Sequence, residues 1–222
     1  MDPMTHDDVA RFLSEHPDFF DHHPEVLANV AIPHPQEGQA VSLVERQSQI
    51  LRERVRSLEL RLADMLRHGE ENDAIADRIV HCARTLLAQP DPAELPATAI
   101  DELKRQFNVP YGAVRVWGVA PAYAGLDCAR PASDDIIRLA SSMQAPFCGS
   151  NVGFEAAAWM ASDPTTIRSL AMMPLRVGGD PKAFGLLALG SSDPDRFQVT
   201  MGTAFLSRIA ELASAALARL RS

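Results

Sequence analysis

The chain is short of cysteine, of net basic charge and of long apolar runs, and each shortage removes a class of function. Cysteine occurs at Cys82, Cys128 and Cys148 and nowhere else in 222 residues. An odd number at wide spacings, with no CxxC pair, argues against a disulfide framework or a structural zinc site and fits a reducing cytoplasm. No apolar run reaches the roughly 18 residues that span a bilayer, and the acidic N-terminus carries no apolar stretch of signal-peptide length. The sequence therefore predicts a cytoplasmic protein with no membrane association. The 21 Lys and Arg against 29 Asp and Glu leave a net charge of −8. That balance opposes direct nucleic-acid binding, in which affinity comes from neutralising phosphates. Also missing are a Walker-ordered glycine loop and a pair of histidines at HExxH spacing.

With 46% hydrophobic and 23% charged residues the composition is that of an ordinary globular protein. Its length allows one domain plus an appendage, with a core that needs neither disulfides nor metal. The charge is unevenly placed. Residues 1–45 hold nine acids and a single base, Arg11, so the whole −8 lies there and residues 46–222 are neutral. Three segments follow: an acidic N-terminal helical segment over 1–40, a coiled-coil helix over 41–70 and a mixed domain over 71–222.

In the first segment Thr5 is placed to cap a helix, with Asp8 at the third helical position and Val9, Phe12 and Leu13 on its apolar face. Pro17 stops it. Asp18 to Asn29 read as a second short helix carrying Phe19, Phe20, Val26 and Leu27, and Ile32-Pro33-His34-Pro35 as an extended stretch. So small a piece needs a neighbour on which to dock its apolar residues.

From Val41 to Met65 the apolar residues keep heptad spacing: Val41, Ser48, Val55 and Leu62 at position a, Val44, Leu51, Leu58 and Met65 at d. Valine at a with leucine at d favours two strands, and in a parallel pair Arg54 would face Glu59 of the other chain. A stripe two positions wide suits a partner helix better than a globular core, so a homodimer is expected. Packing of the same helix on its own domain is the alternative. Six arginines lie between residues 46 and 67. A basic zipper puts its basic residues ahead of the heptads, whereas Arg52, Arg54 and Arg61 flank the seam, so they read as a solvated coiled-coil edge.

Beyond Glu71 the stripe broadens (Ile75, Ile79, Cys82, Ala83, Leu86, Leu87) into a core-facing helix, broken at Pro90 and Pro92. A second helix covers roughly Ala93 to Phe107. Ten of the twelve glycines fall after residue 111, where strands and tight turns are expected to begin. Tyr111 to Val119 alternates as a strand. Residues 120–132 read as a loop, Asp134 opens a helix, and FCGSNVGFEAAAWM is glycine-bearing and then helical. Ser169 to Val177 and Ala183 to Gly190 form a hairpin across Gly178-Gly179-Asp180-Pro181. The last helix carries Phe205, Leu206, Ile209, Leu212, Ala213, Ala216, Leu217 and Leu220.

This order of elements resembles the GAF domain, which implies an α+β fold: an antiparallel sheet with the first and last helices on one face and a pocket on the other. Separate blocks of sequence resemble one bacterial GAF-like family, domain of unknown function 484. They are Phe12-Leu13, His16-Pro17-Asp18-Phe19-Phe20, His23-Pro24-Glu25, Ile32-Pro33-His34-Pro35, Ala40 to Gln47, Cys148-Gly149, Pro174-Leu175, Gly185 to Ser191 and Gly202 to Leu206. The resemblance spans nearly the whole chain and lends no biochemical activity. Members of the family are often encoded beside a site-specific tyrosine recombinase, which implies a protein partner of that kind.

Given the implied pocket, strand alternation puts Ala113, Arg115 and Trp117 on one face, and Phe154, Trp159 and Met160 on a segment covering it. Arg115, Trp117, Cys148, Phe154 and Trp159 are the candidate ligand-binding residues. A strand arginine among apolar neighbours needs an anionic partner, from the protein or from a ligand. Cys148 is the best candidate for chemistry, but no histidine follows His81 and no base is near it in sequence. The three cysteines do not match the cluster with which some GAF domains reduce methionine sulfoxide, and the NKxxxF signature of cyclic-nucleotide GAF domains is absent. Five histidines (His6, His16, His22, His23, His34) lie in the first 34 residues. Three of them precede proline, as helix ends and turns require, so no metal site is assigned. No catalytic residue or cofactor is assigned either. The expected function is a non-catalytic sensor or signalling scaffold that dimerises through its coiled coil and binds a small molecule. The alternatives are an adaptor that binds protein without a ligand, or a thiol redox sensor using Cys148.

Overall fold

A computed structural model describes residues 5–29, 31–33, 40–198 and 203–221, without the side chains of 27–29, 31–33 and 40–45. The expected extended run through His34 and Pro35, and Gly202 in the block before the last helix, lie outside these residues. The chain divides into two compact units, 1–70 and 71–222.

In the first unit, α1 (His6–Glu15) begins with the predicted reciprocal cap. The Asp8 amide donates to Thr5 Oγ1 at 3.3 Å and the Thr5 amide donates to Asp8 Oδ2 at 3.0 Å. The expected second helix is divided into α2 (Phe19–His22) and α3 (Pro24–Asn29), because Pro24 has no N–H to continue a helical ladder. Phe12 stacks on His16 at 4.5 Å and meets Phe19 edge-on at 5.8 Å. Strands β1 (Ala31–Pro33) and β2 (Ala40–Ser42) pair antiparallel, with Ile32 opposite Val41. Val41 therefore lies on a strand and not at the first heptad position. The long helix α4 runs Leu43–Ala88 without a break at Gly69, since one exposed glycine costs a helix only about 1 kcal/mol.

In the second unit the last turns of α4, then α5 (Leu95–Phe107) and, near the end of the chain, the helix Ala204–Leu217, cover one face of a four-stranded sheet. Asn108, in the left-handed conformation at φ 50°, ends α5 and returns the chain. Next come β3 (Tyr111–Val116), turns over 121–129, α6 (Asp134–Ser142), β4 (Phe147–Ser150), α7 (Glu155–Met160), β5 (Ser169–Leu175), β6 (Gly185–Ser191) and α8 (Ala204–Leu217). The spatial order is β3-β6-β5-β4, antiparallel throughout, with Arg115 opposite Leu186 and Ala171 opposite Leu189. The central strands β5 and β6 are buried along their whole length, which explains their continuous apolar sequences: helices cover both faces.

Pro174 is tolerated within β5 for a geometric reason. The ladder sends alternate residues towards β6 and towards β4, and Pro174 belongs to the β4-facing set at a level that β4, which starts opposite Met172, does not reach. Its missing N–H therefore costs no bond.

The core lies in two layers. On the first face Cys82 and Leu86 of α4, Leu95, Ala99 and Leu103 of α5, and Leu206, Ile209 and Leu217 of α8 pack on Val114, Met173 and Leu187. Leu87, expected in this stripe, is instead 83% exposed: it is one position round the helix from Leu86 and falls off the buried arc. On the second face α6 and α7 pack Ile136, Ala140, Ala156 and Ala157 on Leu170, Met172, Leu186 and Ala188.

Candidate functional site

The candidate residues divide between these two layers. Arg115 projects from β3 onto the second face, and its side chain is 8% exposed. Its Nη1 donates to the Asp127 main-chain oxygen at 2.7 Å and to Asp127 Oδ2 at 3.0 Å. Its guanidinium carbon stands 5.5 Å from the ring centre of Trp159 on α7, within cation–π range. The anionic partner demanded by this arginine is thus a protein carboxylate, itself paired with Arg130 Nε at 2.9 Å. Arg115 Nε has no partner among the described residues.

The other candidates lie elsewhere. Trp117 shares the face of Arg115, but its indole N–H is bound by the Ala183 carbonyl at 2.7 Å. Phe154 packs edge-on against Phe147 of β4 at 5.3 Å. Cys148, grouped with the other four as a candidate ligand-binding residue, belongs to β4 and to the opposite face, in the layer under α4, α5 and α8. Strand alternation is the cause: Phe147 takes the second face and Cys148 the first. Three strand spacings, roughly 14 Å, also separate β4 from β3. Burial pushes the Cys148 and Cys128 thiols up, and burial followed by the Glu102 charge pushes Cys82 up to about 11.

The second face, where the implied GAF pocket would lie, is covered by α6 and α7. An open cleft lies beside it, at the β3 edge of the sheet. A cleft of about 380 Å³ is walled by α5 (Glu94 at its cap, then Ala97, Ile100, Asp101), floored by Gly112, Ala113 and Val114, and bounded by Leu126, Asp127 and Trp159. This volume is in the range of small-ligand sites. Of the five candidate residues only Trp159 lines it; Arg115 braces the Asp127 and Trp159 walls from behind. The sequence reading missed Glu94, Asp101 and Asp127. Asp127 sits in an irregular turn with no periodic signal, and the two α5 acids look like ordinary solvated helix positions.

The N-terminal histidines make local contacts. His16 Nδ1 donates to the Phe12 carbonyl at 3.0 Å, His22 Nδ1 to the Asp18 carbonyl at 3.1 Å, and His23 Nδ1 lies 3.3 Å from Glu25 Oε1. Among the described residues no three His, Cys, Asp or Glu side chains are grouped to hold a metal ion, and no helix is long and apolar enough to cross a membrane.

An antiparallel sheet sandwiched between helices, with a cleft beside its first strand, defines an α+β module. A family model described as "Protein of unknown function, DUF484" matches residues 1–222, and the chain belongs to that family. The "Uncharacterized protein YigA" of Salmonella typhimurium is 25% identical over 210 residues, covering 91% of this chain and 86% of that protein. Among solved structures, the GAF domain of a putative sensor histidine kinase from Pseudomonas syringae pv. tomato is 21% identical with a TM-score of 0.45, over 69% of this chain and 91% of that one. The free methionine-R-sulfoxide reductase from Neisseria meningitidis, solved in complex with its substrate, is 13% identical with a TM-score of 0.45, over 64% of this chain and 87% of that one.

Proposed function

We propose that this protein is a non-catalytic scaffold or sensor that dimerises through the heptad seam of α4 and takes its ligand in the cleft at the β3 edge. The seam carries the reading. Leu51, Val55, Leu58, Leu62 and Met65 expose between 52% and 70% of their surface on a single helix. Five large apolar side chains repeating at a and d are expected to be buried against an identical helix. The closed second face supports moving the binding site from the implied GAF pocket to the neighbouring cleft. The buried thiols, their pKa values raised, support a non-catalytic protein, because the thiolate is the reactive form. Occupancy of the cleft would act on α5, which packs beside the last turns of α4, and so on the helix that carries the seam.

Native mass spectrometry of the protein purified from cells tests this reading. A species of twice the chain mass is expected. Added mass released on unfolding favours the sensor, and a bare dimer favours an adaptor that binds protein. A monomer at micromolar concentration contradicts the proposal.

A further inference from the structure

The floor of the cleft is a strand edge with main-chain groups to offer. The Trp117 amide donates to the Phe184 carbonyl at 2.8 Å, and the register continues with Arg115 opposite Leu186 and Ala113 opposite Ala188. In an antiparallel ladder alternate residues turn their N–H and C=O towards the partner strand. Trp117, Arg115, Ala113 and Tyr111 therefore face β6, and Gly112, Val114 and Val116 face outward. Among the described residues the outward N–H and C=O of Gly112 and Val114 have no hydrogen-bond partner, and these two residues floor the cleft. Edge strands are usually blunted by charge, proline or a covering segment. Here Asp127–Ala129 pack beside β3, and the cleft opens over Gly112, Ala113 and Val114.

The walls are chemically unlike. The side of the strand from which Gly112 and Val114 project meets α5, where an added Cβ on Gly112 would touch Ile100 at 3.2 Å and Lys104 at 3.6 Å. On this wall Glu94 and Asp101 are exposed and have no ion-pair partner among the described residues. They stand two helical turns apart, about 10 Å along the axis. The other side presents the Trp159 ring, backed by the Arg115 and Asp127 pair. No cationic residue lines the cleft.

We infer that the cleft receives an extended segment of a partner protein, added as a further strand on β3, with basic side chains at positions i and i+2 and an apolar side chain between them. Residues i and i+2 of an added strand share one face about 7 Å apart, and lysine or arginine stems at that spacing reach Glu94 and Asp101. The intervening side chain takes the opposite face, against Trp159. The main chain of the segment supplies the hydrogen bonds that Gly112 and Val114 lack, as in other strand-addition complexes. This inference rests on the reading of the cleft as the binding site and names its occupant.

The test uses the full-length protein and Val-Lys-Leu-Lys-Val-amide carrying fluorescein on its N-terminal amine, followed by anisotropy. Saturable binding is expected. Methylating both lysine main-chain nitrogens keeps every charge and removes the donors, and should weaken binding about tenfold. The double variant Glu94→Lys, Asp101→Lys, at exposed positions and checked by circular dichroism, should weaken it by about fivefold to tenfold. Three results would overturn the inference: no saturable binding, a methylated peptide that binds as well as the parent, or full displacement by spermidine, which has the charges without the main chain. Mass determination on the same sample separates this idea from dimerisation. A dimer that ignores the peptide refutes the occupant alone, whereas a monomer that binds it refutes the seam alone.

Discussion

Arg115 and Asp127 form a pair of unequal burial: the arginine side chain is 8% exposed, the aspartate side chain 69%, and Nη1 to Oδ2 is 3.0 Å. The carboxylate is what makes the buried cation tolerable, with the Asp127 main-chain oxygen as a second acceptor. Asp127→Ala should therefore lower stability by about 1–2 kcal/mol, less than for a fully buried pair because water reaches the carboxylate side. Urea unfolding measures this, and an unchanged midpoint would show that the main-chain oxygen alone suffices.

Gly185 of β6 lies between Val116 of β3 and Leu175 of β5. A Cβ there would lie 2.7 Å from the Arg115 carbonyl oxygen and 2.9 Å from Leu175 Cδ1. Backbone cannot yield as a flexible side chain does, so Gly185→Ala should cost about 1–3 kcal/mol as an overpacked substitution. Thermal unfolding reads it directly, and a variant as stable as the parent would mean that the strands separate at little cost.

How much of this was legible depended on the kind of signal. The β5–β6 hairpin was visible because its apolar runs flank a glycine-rich turn, and α8 because its face repeats at helical spacing. Strand β4 was not, since four residues containing one glycine show no usable alternation. Without a strand there, nothing in the sequence separates Cys148 from Arg115; once Phe147 and Cys148 are strand neighbours, they must face opposite ways. The sequence required an anion for Arg115 but did not indicate Asp127, because pairing across an irregular turn depends on tertiary geometry. The cleft was equally hidden, since an unpaired strand edge comes from strand order, which local sequence does not encode.

Glu102 makes stability sensitive to acid. Burial pushes its carboxyl up, but hydrogen bonds from Arg105 at 2.5 Å and Gln106 at 2.8 Å, with the charges of Arg105 and His81, outweigh this and hold it below its ordinary value. The unfolded chain thus takes the proton more readily than the folded one. The contribution is complete above the ordinary glutamate value of about 4.3 and is lost as pH falls through the lower folded value. Glu102→Gln should lower stability at neutral pH and flatten the acid limb of a stability profile. An acid limb parallel to that of the parent would remove Glu102 as its source.

All three thiols should resist modification in the native state. They are buried, with pKa values raised chiefly by that burial, so little thiolate is present near neutral pH. Iodoacetamide at pH 7.5 should label none of them within minutes and all of them in denaturant, by intact mass. Rapid labelling of Cys148 in native protein would instead favour the redox-sensing alternative.

The central claim is that the exposed seam of α4 pairs two chains. Leu51 and Leu58 occupy successive d positions and are 58% and 62% exposed, so a charge at either site leaves the folded core of 71–222 untouched while placing two like charges opposite each other in a dimer. Sedimentation equilibrium of the full chain and of Leu51→Glu, Leu58→Glu measures this most directly. The account predicts a dimer for the parent and a folded monomer for the double variant. A parent that sediments as a monomer, or a double variant that remains a dimer, would contradict it.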